Sequence, residues 1–151
     1  MRNLILLLAT FLISAHAWSQ QFWGKTQYGM TASEVNALFG NKLKSEHQEE
    51  PKSLLTMQTS LCEATFGVQF AFASNKLLGV VLISDPDHTA SVTGDCIFSE
   101  YVGAFGKPES SKRTLLGSET IFWRENTVVN LTIWTLSKTV IIRYGLRRTD
   151  L

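Results

Sequence analysis

The sequence predicts an α+β fold: two short helices packed on antiparallel β-sheet, arranged as a tandem helix-plus-hairpin repeat. Three observations carry that expectation. Residues 28–40, YGMTASEVNALFG, read as a short helix specified at both ends. Residues 64–72 alternate strictly between Ala64, Phe66, Val68, Phe70 and Phe72 and their smaller or more polar neighbours, the period of a half-buried strand. The two halves of the chain also look alike. SEVNALFG aligns with SEYVGAFG at an offset of 66, and VQFAFASNKLLGVVLI with VNLTIWTLSKTVIIRY at an offset of 61. A period this long, met twice, indicates a duplicated supersecondary unit and not a solenoid. The half-repeats run over about 22–84 and 91–148; chance similarity between short amphipathic patterns is the alternative.

The elements follow in chain order. Arg2, an apolar run at 4–13 and Ala15-His16-Ala17 spell a secretory signal peptide cut after Ala17. The run is too short to span a bilayer, and no stop-transfer pattern follows, which sets it apart from a retained anchor. What remains, 18–151, is one α+β domain. Its first residues are rich in aromatics, and Phe22, Trp23 and Tyr28 are expected to tie the terminus to the core. In the first helix Thr31 and Glu34 make an S/T-x-x-E capping box, and Met30 with Val35 a hydrophobic staple. Val35, Leu38 and Phe39 share one face, and Gly40 supplies the left-handed stop.

Residues 41–53 are polar and read as an exposed loop, and 54–84 read as strands with a turn at Ser74-Asn75-Lys76. Residues 84–95 read as a turn-rich linker. A second helix starts at a Thr93 or Asp95 cap and ends at Gly106 and Pro108. Strands are then expected at 112–116, 120–124, 127–134 and 139–144.

Composition limits the function. Lysine and arginine number 14 against 13 aspartates and glutamates, and loss of Arg2 with the signal peptide makes them equal. A neutral chain is not built mainly for nucleic acid or an anionic membrane. Cys62 and Cys96, the two cysteines, are expected to pair as a disulfide in an oxidising compartment, two buried thiols being the alternative. Two cysteines do not complete a metal site.

Residues Tyr28 to Gly40, with the weaker echo Phe105-Gly106-Lys107-Pro108, resemble the small outer-membrane-assembly lipoproteins of the SmpA type and the repeats of the β-lactamase-inhibitory-protein-like superfamily. That resemblance covers well under half of the chain. It implies an α+β fold that binds proteins on a sheet face and no enzyme. The anchoring cysteine of the lipoproteins is absent here.

Chemistry-bearing motifs are scarce. There is no G-x-S-x-G, H-E-x-x-H, phosphate loop or C-x-x-C. His47 lies among Glu46, Glu49 and Glu50, and His88 beside Asp85 and Asp87. Either cluster could serve a small hydrolase or hold a cation loosely; the plainer reading is a solvated loop. No cofactor and no metal are expected. The leading reading is an exported, periplasmic or secreted, non-catalytic module for a protein partner in the cell envelope, with the hydrolase or an apolar-ligand carrier as rivals. The expected binding face comes from strand alternation in the last three strands. Their more uniformly apolar sets should face the helices, which leaves Phe122, Arg124, Asn130, Thr132, Trp134 and Arg143 outside. Aromatics and arginine among polar neighbours have the composition of interface hot spots. An ordinary solvated sheet face is the alternative.

Overall fold

The structure is a computed structural model and describes residues 22–46, 52–86, 90–124 and 126–146. Residues 1–17, expected as a signal peptide, and His47 and His88 lie outside the described residues. A turn of 3-10 helix at Trp23–Lys25 leads into α1 (Ala32–Leu38). Four strands follow: β1 (Lys44–Glu46), β2 (Lys52–Leu61), β3 (Ala64–Ala73) and β4 (Lys76–Ser84). Next come α2 (Ala90–Phe105) and β5 (Ser110–Thr114), β6 (Gly117–Arg124), β7 (Thr127–Trp134) and β8 (Thr139–Leu146). All eight strands form one antiparallel sheet in the order β1-β2-β3-β4-β8-β7-β6-β5.

That sheet corrects the expected fold class. Strands take 53% of the described residues, and the two helices are small additions to one face. The molecule is mostly β, not α+β. Nor is its unit a helix-plus-hairpin repeat. Each helix precedes a four-stranded meander, and the two meanders meet where β4 pairs with β8, from Val80↔Tyr144 to Ile83↔Ile141.

The local chemistry explains the elements. The Thr31 hydroxyl accepts from the Glu34 amide, and the Glu34 carboxylate accepts from the Thr31 amide at 2.8 Å. This capping box satisfies two amides that have no partner inside α1, and it holds the Glu34 carboxyl below the usual carboxylate range. Asn75, from the β3–β4 turn, accepts from the Ala32 amide at 3.2 Å. Seven residues cannot hold a helix in water unaided. Val35 fixes it by full burial, while Trp23 stacks on Phe39 at 5.9 Å and both rings lean on Phe70 of β3. Phe22 and Trp23 thus pack on the core as expected, whereas Tyr28 is exposed.

Two hairpins close through two-residue turns with both residues at positive φ: Cys62-Glu63 and Ser74-Asn75. This geometry matches the right-handed twist of the strands. Residues 41–53, expected as loop, contain β1 and the start of β2. Helix α2 begins at Ala90, inside the expected linker. Thr93, Gly94 and Asp95 read locally as turn and cap residues, but Gly94 is buried against β7. A methyl group there would come within 2.3 Å of Ile133 Cδ1, so glycine sets how closely helix and sheet approach.

The core lies between the helices and one sheet face. Phe66, Val68, Phe70, Val80, Leu82, Phe122, Val129, Leu131, Val140 and Ile142 project into it from the strands. Under α2, Tyr101 packs edge-on to Phe105, Phe122 and Tyr144. The Tyr101 and Tyr144 hydroxyls hydrogen-bond to each other in the core. Burial pushes the Tyr101 phenol up from 10.0 to about 12, and burial raises that of Tyr144 further. Since both folded-state values lie above the unfolded one, the neutral pair stabilises the fold fully below pH 10. That contribution is lost as pH rises through 12. Circular dichroism under alkaline titration should therefore show stability falling from pH 10 upward. A Tyr101→Phe/Tyr144→Phe variant should fall less steeply. Equal slopes would deny the pair this role.

Cys62, in the β2–β3 turn, and Cys96, in α2, form a disulfide with Cα atoms 6.1 Å apart. No helix among the described residues is long and apolar enough to cross a membrane.

Candidate functional site

Among the described residues, no element covers the sheet face away from the helices. Register fixes its membership. On β7, Val129, Leu131 and Ile133 face the helices, so Val128, Asn130, Thr132 and Trp134 face outward. Across β8, Asn130 opposes Arg143 and Thr132 opposes Ile141. Across β6, Thr132 opposes Glu119 and Asn130 opposes Ile121.

Of the six predicted binding residues, four come together here. Asn130, Thr132, Trp134 and Arg143 share the face, and Trp134 is 41% exposed. Phe122 is a correction. It is 0% exposed on the opposite face, against Phe98, Tyr101 and Phe105. Strand β6 is apolar on both faces around Thr120-Ile121-Phe122-Trp123, so alternation could not choose between them. The register Phe122↔Val129 does. The side chain of Arg124 lies outside the described residues.

The face also contains groups that the sequence reading missed. Asn130 Nδ2 donates to Glu119 Oε1 at 2.6 Å, and Thr132 Oγ1 donates to Asn130 Oδ1 at 2.8 Å. This ladder fixes the Asn130 amide across two strands before any ligand arrives. A groove of about 250 Å³ opens beside it, lined by Lys112, Glu119, Thr132, Trp134 and Arg143. Lys112 comes in because it opposes Glu119 on the edge strand β5. Only the β5–β6 register, which no local pattern encodes, could have shown that. The groove thus combines an indole, two cations, a carboxylate and a threonine hydroxyl. It offers hydrogen bonds and charge pairing to a surface, and no nucleophile with a paired base.

Among the described residues, the one His/Cys/Asp/Glu group close enough to hold a metal is Cys62, Cys96 and Glu100. Both sulfurs are bound in the disulfide, so neither is available as a thiolate ligand.

No protein-family model matches the chain, and no curated protein aligns with it significantly. Among solved structures it is similar to a DUF4309 family protein (YjgB) from Bacillus subtilis. The TM-score is 0.46 and the identity 10%, over 78% of each chain. A likeness at this level carries no functional argument.

Proposed function

We propose that this chain is an exported, non-catalytic protein-binding module. In this reading it recognises a partner in the cell envelope with the helix-free face of its sheet. The observation that carries the proposal is the half-exposed Trp134 beside Arg143, Lys112 and the Thr132–Asn130–Glu119 ladder. A rigid aromatic anchor next to a planar cation and pre-oriented polar groups is the composition of an interface centre. Export rests on the signal pattern at 1–17 and on the disulfide, which persists in oxidising compartments. The space between α2 and the sheet, where an apolar cargo would sit, is taken by the rings of Phe98, Tyr101, Phe105 and Phe122. The protein-binding reading is favoured over the carrier for that reason.

The test compares wild type with Trp134→Ala and Arg143→Ala. The full chain is expressed, the exported fraction collected, and the bait checked by intact mass for a start at Trp18. Partners captured on it are then identified and their affinity measured. Trp134→Ala should weaken capture by roughly 30-fold, about 2 kcal/mol, with a nearly unchanged melting temperature. Capture that both variants retain in full would overturn the assignment of this face.

A further inference from the structure

One end of the sheet breaks the rule that turns are polar. The β5–β6 hairpin turns on Leu115-Leu116, which are 99% and 50% exposed, and Leu136 in the β7–β8 turn is 75% exposed. The two turns are held side by side, since the Thr135 amide donates to the Leu116 carbonyl at 3.0 Å. Trp134 stands immediately behind them at the end of β7. None of these leucines belongs to the core. Their backbones avoid the left-handed region, so polar turn residues would serve the hairpins equally well. An apolar cluster that folding does not require points to function.

We propose that this hairpin tip docks the protein peripherally on a lipid bilayer whose headgroups include anionic ones. The layering favours lipid over a protein partner. The leucines are outermost, on convex turns instead of in a recess. Trp134 lies one level back, where indoles settle at the headgroup boundary. Lys112 and Arg113, adjacent in β5 and pointing to opposite sheet faces, lie further back still: Arg113 is level with Ile133 and Lys112 with Thr132, one and two residues behind Trp134. Leucine is under-represented in protein hot spots, whereas leucine and tryptophan ahead of basic groups is the pattern of an interfacial anchor. Acidic groups temper the charge. Glu119 opposes Lys112, and Asp95 of α2 shares a small groove with Arg113. The apolar tip therefore supplies most of the affinity, and anionic lipid adds a smaller part. The overall charge balance of the chain is consistent with that division. Two turns cannot span a bilayer, so docking is shallow and reversible.

The test is flotation of the purified mature protein with two kinds of vesicle, phosphatidylethanolamine mixed with phosphatidylglycerol and phosphatidylcholine alone. The protein should float with both, several-fold more with the anionic mixture. Leu115→Ser/Leu116→Ser/Leu136→Ser should lower partitioning by about tenfold or more, with an unchanged melting temperature because the three side chains are outside the core. Failure of the wild type to float, or undiminished floating of the triple variant, would overturn the proposal. So would loss of protein capture by the triple variant without any vesicle binding, which would make the tip a protein contact. The Trp134–Arg143 face can fail its own test independently, since the triple variant leaves Arg143 and the Asn130 ladder untouched.

Discussion

Replacing Phe122 by alanine is expected to lower folding stability by about 3–5 kcal/mol. The ring is entirely shielded and sits where α2 meets the sheet, 5.8 Å from Phe98, 5.9 Å from Tyr101 and 6.2 Å from Phe105. Its removal deletes the transfer free energy of a phenyl group and leaves a hole lined by three rings. These are anchored on α2 and cannot all collapse inward. The readout is a lower urea midpoint with an unchanged slope. Partner capture at a temperature where the variant is folded should match the wild type, because Phe122 is on the wrong side of the sheet to touch a ligand. A loss below about 1 kcal/mol, or selective loss of capture from a stable variant, would return Phe122 to the binding face.

The second large effect belongs to the disulfide. Cys62 and Cys96 are 34 positions apart. On the chain-entropy account, a cross-link closing a loop of that length stabilises the fold by about 4 kcal/mol. The bridge also has a structural reason to matter. It ties the β2–β3 turn of the first meander to α2, the helix that covers the second. Guanidinium unfolding with and without a reductant should show the loss, and a Cys62→Ser/Cys96→Ser variant should show the same loss without responding to the reductant. If reduction costs less than about 1 kcal/mol, the link between the halves is carried by packing and the β4–β8 pairing alone.

These two residue sets mark where the sequence was legible and where it was not. The cysteine pair, the Thr31 capping box and the alternation of β3 were readable because each is encoded locally or by simple counting. Strand β1 was not. It reads Lys-Ser-Glu and pairs on one side only, and an edge strand in water gains from charge. Polar sequence therefore concealed sheet, and the sheet content was underestimated until the fold class tipped from α+β to mostly β. The start of α2 was hidden for the opposite reason: Gly94 is a poor helix residue kept in place by its contact with Ile133, a tertiary demand that overrides propensity. In the candidate site, Trp134 and Arg143 were found by alternation on strands with one clearly apolar side. Phe122 was misplaced on a strand with two. Lys112 and Glu119 were invisible, because cross-strand neighbours are set by register and register is a property of the assembled sheet.

The strand order has a consequence for how the chain comes together as it is made. Strand β4 is complete once residue 84 has been synthesised, but its second neighbour is β8, the last of the described strands. Until the C-terminal strand arrives, β4 presents an open apolar edge of the kind that invites pairing with another chain. Contacts this distant along the sequence also form slowly. The cross-link to Cys96, by contrast, needs no residue of β5 to β8, so in an oxidising compartment it can close before the second meander assembles. Folding molecules would then pass through a half-finished sheet, already stapled to its second helix, and any chaperone that attends them has the β4 edge to guard.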